Sequence, residues 1–373
     1  MQFSGAFIAV FAAELTLFAQ TAEPPLTRNQ IWNKIAPYFQ PPPRFKNNFG
    51  EFRPLLRFDD GRPVQTAAQW RAHRAEILKQ WTELLGPWPA LIERPRSTEI
   101  DREHRANFTK HHQRLEIAPD HFEEAYLLVP DGAGPFPAVV VPFYEPRTSI
   151  GLAGELRDFA YQLSRRGFVT LSIGSPGGDA RKPFLADAHC QPLSFLAYVA
   201  ANCWNALAAR ADVDAQRIGI VGHSYGGKWA MFAACLYDKF ACGVWSDPGI
   251  VFDETRPNVN YWEPWYLGED SKMTRKPGVP SATNPRTGAY KTLIETGHDL
   301  HEIQALMSPR PFLVSGGAED REERWRALNQ IIAVNRLLGV ENRVAMTTRE
   351  THNPTPESNE VIYRFFEHFL KRE

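Results

Sequence analysis

Ile218-Gly219-Ile220-Val221-Gly222-His223-Ser224-Tyr225-Gly226-Gly227-Lys228-Trp229-Ala230-Met231-Phe232 reads as a short apolar strand, a glycine-bounded turn and an apolar helix. Residues 218–221 are apolar enough to be buried on both faces, and residues 227–237 continue as a helix rich in Ala, Met and Phe. Between them lies a G-x-S-x-G pattern centred on Ser224. A serine at the tip of such a strand-to-helix turn sits in a strained conformation, and the residues two before and two after it approach so closely that only small side chains fit. Gly222 and Gly226 meet that demand. The helix aims its N-terminus at the serine, so the Tyr225 amide is placed to stabilise negative charge on a substrate carbonyl oxygen. A second donor is expected in the loop after the strand at 137–142, around Phe143 and Tyr144, because that loop borders the same sheet edge. Tyr225 and Tyr144 are therefore the candidate oxyanion-hole residues, although no HGGG motif is present at the second.

Working outward, strands and helices alternate from about residue 115. Strands are expected at 114–117, 125–129, 137–142, 168–173, 217–221, 241–245, 311–315 and 343–347. Helices are expected at 156–166, 194–209, 227–237 and 360–370. That alternation implies right-handed crossovers and an α/β fold, a mostly parallel central sheet with helices on both faces. Residues 248–300 break the rhythm with Tyr261-Trp262-Glu263-Pro264-Trp265-Tyr266 and a long irregular stretch. An insertion of this length is expected to be a cap beside the site. Its aromatic residues, Trp262 and Trp265 among them, either stack on sugar rings as substrate-binding residues or pack the insertion onto the core. Residues 20–114 read as a wrapping, helical extension, with a helix over 67–85 that Gly86-Pro87 stops. The α/β unit itself is assigned to 115–373.

A serine hydroxyl needs a base, and the base needs a carboxylate to hold it. After the strand at 311–315 comes Gly316-Gly317-Ala318-Glu319-Asp320, and Asp320 is the first choice of acid, with Glu319 its neighbour and competitor. Asp247, in Trp245-Ser246-Asp247-Pro248 after the preceding strand, is the main rival. His352, in Thr351-His352-Asn353-Pro354 before the last helix, is the expected base. The order serine, acid, histidine is the one that accompanies a nucleophile on such a turn.

Composition narrows the partners. The 373 residues carry 42 basic and 43 acidic side chains, a formal charge of −1, which offers neither nucleic acid nor anionic lipid a general attraction. P-loop, dinucleotide-binding G-x-G-x-x-G and H-E-x-x-H patterns are all missing, so no metal or organic cofactor is expected. Cys190, Cys203, Cys235 and Cys242 form no C-x-x-C pair, and their pairing stays open. The apolar run at 3–18 resembles a signal peptide, giving a candidate leader at 1–19 and a secreted or periplasmic mature chain. Nothing later is apolar for long enough to span a bilayer.

On these motifs the chain resembles a serine esterase of the α/β-hydrolase superfamily over about 115–373. The elbow, the triad order and the run Asp299-Leu300-His301-Glu302 leading to Met307-Ser308-Pro309-Arg310-Pro311 are similar to dienelactone-hydrolase-like and acetyl xylan esterase-like proteins. There is partial similarity to glucuronoyl esterases, whose elbow carries a lysine four residues after the serine. Lys228 stands there, and the resemblance implies that it faces carbohydrate as a substrate-binding residue. The arginine that follows the serine in those enzymes is Tyr225 here, a departure that weighs against uronate specificity. The resemblance implies cleavage of carboxylic esters through an acyl-enzyme, on a small-molecule or polysaccharide ester of the acetyl xylan type. Two other readings stay open. One is a serine peptidase of the prolyl-oligopeptidase type, whose large propeller the short N-terminal region could not supply. The other is a non-catalytic carbohydrate-binding protein on the same scaffold.

Overall fold

Residues 138–141 are apolar at every position, and alternate side chains go to opposite sides of a sheet that is covered on both. Ala138 and Val140 join one core, whereas Val139 and Val141 join another. The computed structural model describes residues 26–152, 156–183 and 188–372. The candidate leader at 1–19 lies outside them. The described chain runs α1 (Arg28–Ile35), α2 (Ala67–Leu85), β1 (Ser97–Arg105), β2 (Phe108–Ala118), β3 (His121–Pro130), β4 (Phe136–Pro142), α3 (Phe159–Arg165), β5 (Val169–Ile173) and α4 (Pro192–Ala208). It continues through β6 (Val213–His223), α5 (Tyr225–Leu236), β7 (Cys242–Ser246), α6 (Gly288–Glu295), α7 (Leu300–Ala305), β8 (Phe312–Ser315), α8 (Trp325–Leu337), β9 (Val344–Thr347) and α9 (Pro356–Leu370).

The strands of the described chain form one sheet in the order β1-β2-β3-β5-β4-β6-β7-β8-β9. From β5 to β9 the pairs are parallel, and β1, β2 and β3 extend the sheet by antiparallel pairing. One face packs the large core, which takes Trp70 and Trp81 of α2, Phe195 of α4, Trp229 of α5, Ile303 of α7 and Ile331 of α8. The other face packs Ile35 of α1, Leu163 of α3, and Phe365 and Phe366 of α9.

The start of the sheet corrects the division at residue 114. That boundary falls inside β2, and β1 lies wholly within the stretch read as a wrapping extension. The cause is that β1, Ser97–Arg105, is an exposed edge strand of charged residues with no apolar face. It is held by pairing with β2 rather than by burial, so periodicity could not reveal it. The helix expected over 67–85 coincides with α2, begun by a Thr66/Gln69 capping box. In the 248–300 insertion, α6 supplies regular structure that Gly and Pro content concealed. Among the described residues no helix is long and apolar enough to cross a membrane.

Sheet order reverses at β4, which pairs with both β5 and β6, and the crevice at the C-terminal strand ends beside that switch point is where open α/β sheets place their sites. Register then aligns four strand ends. His223, Ser246, Ser315 and Thr347 pair in one row across β6, β7, β8 and β9. The residue after each of the first two is Ser224 and Asp247, so both stand one step above that row on adjacent strands.

Candidate active site

The elbow is built by close approach. Ser224 has φ 54° and ψ −114°, outside the regions that ordinary residues favour. A methyl group added to Gly222 would lie 2.0 Å from the Gly226 carbonyl oxygen, and one added to Gly226 would lie 2.2 Å from the Pro142 carbonyl oxygen. The turn is pinned by the Ser224 N–H donating to Ser246 O at 2.8 Å. The helix after it starts at Tyr225, two residues earlier than residue 227, so the Tyr225 N–H belongs to the first turn and has no carbonyl four residues back inside the helix.

From the far edge of the parallel strands, the loop after β9 brings His352 over the row of strand ends. Its Nε2 lies 2.9 Å from Ser224 Oγ, and its Nδ1 lies 2.7 Å from Asp247 Oδ2. Asp247 is held from the opposite side, because its Oδ1 accepts from the N–H groups of Gly317 at 2.7 Å, Glu319 at 3.1 Å and Asp320 at 2.8 Å. The carboxylate partner of His352 is thus Asp247, and the expectation for Asp320 is corrected. Asp320 turns away and accepts from the N–H groups of Gly249 at 2.8 Å and Ile250 at 2.6 Å. Burial and the neighbouring Asp247 charge push its pKa up. Glu319 accepts from Asn258 Nδ2 at 3.1 Å and does not reach the imidazole either. Gly317 explains why the histidine loop passes β8 to reach β7. A methyl group there would stand 2.4 Å from Thr351 O and 2.7 Å from Asp247 Oδ2.

His223 lies beside the base with its ring centroid 4.7 Å from that of His352, and its Nδ1 is 3.1 Å from Ser246 Oγ. Burial, reinforced by the nearby His352 and Arg349, pushes its pKa well down and keeps it neutral. Tyr144 stacks on Tyr225 at 4.6 Å between centroids, and its hydroxyl is within interacting reach of the Ser224 side chain. Partial desolvation against Tyr225 raises the pKa of that phenol, so it remains a donor near neutral pH. The donor expected from this loop is a backbone amide. The Phe143 N–H is already spent on Ile173 O at 3.0 Å, and the Tyr144 phenol is a group that no motif announces.

Lys228 does not present itself to an open cleft. It is 2% exposed, and its Nζ donates to Pro248 O at 2.7 Å and Asn258 O at 3.1 Å, above the rings of Tyr261 and Tyr266. The carbohydrate-facing role implied by resemblance is corrected, because the insertion's backbone carbonyls fold over the ammonium group. Burial lowers its pKa to about 8, against an opposing pull from Asp320, Glu319 and Asp247. Between that value and the ordinary 10.5 the unfolded chain binds the extra proton, so stability gained through this group rises with pH across the interval. We expect the unfolding free energy of the native chain to gain on the order of 3 kcal/mol relative to Lys228→Met over that range, read from urea unfolding at pH 7.5, 9 and 10. Parallel pH dependence of the two proteins would contradict it.

Trp262 is also corrected as a substrate-binding residue. It is 1% exposed, packs in the large core and donates Nε1 to Glu263 Oε1 at 3.2 Å. Trp265 is half-buried, with the Arg181 guanidinium 5.5 Å from its ring centroid. Its ring centroid lies 6.2 Å from that of Tyr266, which in turn lies 6.1 Å from that of Tyr225, the residue after the serine. The four cysteines are buried and unpaired. Among the described residues no group of three or more His, Cys, Asp or Glu is arranged to hold a metal ion.

Solved structures share this arrangement of chain. The glucuronoyl esterase from Solibacter usitatus superposes with a TM-score of 0.66 at 17% identity, over 86% of this chain and 98% of that one. A promiscuous CE15 esterase from a marine bacterial metagenome gives 0.64 at 16% identity, covering 85% and 96%. A Bacteroides fragilis protein assigned as an acetyl xylan esterase gives 0.53 at 15% identity, covering 86% and 87%. This is the α/β-hydrolase fold. The prolyl oligopeptidase family model matches residues 200–373, which span this hydrolase sheet from β6 to its last strand and include Ser224, Asp247 and His352. No curated protein matches the chain.

Proposed function

We propose that this chain is a serine hydrolase that cleaves carboxylic esters of carbohydrates through an acyl-enzyme. The observation that carries the reading is the continuous path from Ser224 Oγ to His352 at 2.9 Å and from His352 to Asp247 at 2.7 Å. His352 takes the Ser224 proton as Oγ attacks the ester carbonyl, and Asp247 holds the imidazole and stabilises its charged form. The tetrahedral oxygen is held by the Tyr225 N–H and, from the other side, by the Tyr144 loop, through the phenol hydroxyl. The imidazolium then protonates the departing alcohol, leaving Ser224 acylated. Water gives a proton to the same imidazole as it attacks the acyl carbon, and the imidazolium returns that proton to Ser224 Oγ as the acid leaves.

The carbohydrate part rests on the likeness to structures named as a glucuronoyl esterase and an acetyl xylan esterase, and on Trp265, whose half-buried ring packs on Tyr266 next to Tyr225 and can bury a sugar face. Tyr225 stands where the resemblance puts the elbow arginine of glucuronoyl esterases, and it is a neutral phenol whose oxygen accepts from Ser175 Oγ at 3.1 Å, so it offers no charge to a uronate. Acetylated sugars are therefore the preferred class. Turnover of acetylated xylose units, methyl uronates, aryl acetates and peptide anilides by the purified chain tests the reading. Acetyl ester cleavage is expected to dominate, and dominance of peptide cleavage would overturn it in favour of the peptidase. The family match over 200–373 is what favours that second reading. Against it, the described residues before the elbow build strands of the same sheet and α2, not a separate propeller.

Tyr144→Phe isolates the second donor. We expect kcat on an aryl acetate to fall by about 100- to 1,000-fold with KM little changed, the range for removal of one oxyanion donor. An unchanged kcat would return that role to a backbone amide. Export is read from the apolar run at 3–18, and recovery of a chain beginning near residue 20 outside the cytoplasm tests it.

A further inference from the structure

Three residues before His352, Arg349 spreads one guanidinium across three segments of chain. Its Nε donates to Asn353 O at 2.8 Å, and its Nη2 donates to His352 O at 2.8 Å and to Ser246 Oγ at 3.3 Å. Its Nη1 donates to Ser315 O at 2.7 Å, Ser315 Oγ at 3.1 Å and Gly316 O at 3.1 Å. Its backbone N–H adds a bond to Gly316 O at 3.1 Å. Two acceptors thus belong to the loop that carries His352, and the others lie at or just beyond the ends of β7 and β8. Those are the strand ends from which Asp247 and its N–H cradle emerge.

We propose that Arg349 is a positioning residue that sets the height and tilt of the His352 imidazole over Ser224 and Asp247, an inference that rests on the serine-hydrolase reading above. A loop at the sheet rim has its own freedom, and an imidazole displaced by about 1 Å loses on the order of 100-fold in rate because the proton path lengthens. Arg349 removes that freedom at the carbonyl of His352 itself. Ser246 Oγ links the same clamp to His223 Nδ1, and the His223 ring lies against the imidazole, so backbone and ring of the base are held by one connected set of bonds. A planar fork with donors on all three nitrogens can span these acceptors at once. A lysine ammonium is a point and reaches only one group of them.

Arg349→Gly and Arg349→Lys test this, with kcat and KM on a small aryl acetate, the rate of covalent labelling by a fluorophosphonate, and thermal unfolding. For Arg349→Gly we expect kcat to fall by about 100-fold, with KM within about threefold and labelling slowed in step. Guanidinium at non-denaturing concentration is expected to restore part of the kcat of the Gly variant and to leave the native chain unaffected. Arg349→Lys, which keeps charge and most of the volume, is expected to stay impaired, and it carries the test should the Gly variant not fold. A kcat within about threefold of native in either folded variant would overturn the proposal. So would a loss that guanidinium leaves unrelieved and that follows lowered thermal stability alone. Failure of the native chain to label with fluorophosphonate would instead remove the nucleophile reading, and this inference with it.

Discussion

Ser224→Ala is expected to reduce kcat on an activated ester by about 10⁴- to 10⁶-fold and to abolish labelling by fluorophosphonates, while thermal unfolding stays close to native. The reason is local. Oγ is the atom 2.9 Å from His352 Nε2, and its loss leaves the base nothing to deprotonate but water. The structural bonds at this residue are made by the backbone, with Ser224 N donating to Ser246 O and Ser224 O accepting from Lys228 N at 2.9 Å, so the elbow survives. Alanine inherits the strain of φ 54° that serine already bears. Residual activity above about 1% of native would mean that a different group attacks.

The second large effect separates two carboxylates. Asp247→Asn is expected to lower kcat by about 10⁴-fold, whereas Asp320→Asn should leave the kcat of folded enzyme within about tenfold. Three backbone N–H groups converge on Asp247 Oδ1, so an asparagine there must keep its oxygen on that side. Its NH₂ then takes the place of Oδ2 and donates to His352 Nδ1. The imidazole proton is forced onto Nε2, which faces Ser224 with a hydrogen in place of a lone pair. Asp320 has no such hold on the base, and its substitution disturbs the bonds from Gly249 and Ile250 at a cost of about 1–3 kcal/mol in stability. Comparing kcat with urea unfolding for the two variants decides the matter. A kinetic loss in Asp320→Asn equal to that of Asp247→Asn would reverse the assignment.

Local chemistry made much of this molecule readable. Apolar runs such as 138–141 and 218–221 state that they are buried on both faces, and the glycines at 222 and 226 state that a serine is raised on a tight turn, because such constraints act between residues near in sequence. The exposed strand β1 escaped that reading since its residues gain nothing by burial and are ordered only by pairing with β2.

The alternation of strands and helices, the serine at the elbow and a histidine between the last strand and the last helix are all properties of the chain taken a few residues at a time. Which acid meets that histidine is not, because Asp247 and Asp320 each follow a strand and differ only in the direction their carboxylates take across the sheet. Register sets Asp247 beside Ser224, Gly317 leaves the path to it open, and backbone N–H groups from β8's loop hold its free oxygen. Lys228 and Trp262 turned inward for the same kind of reason. Their partners, the carbonyls of Pro248 and Asn258 and the packed core, come within reach only once the insertion has folded onto the sheet.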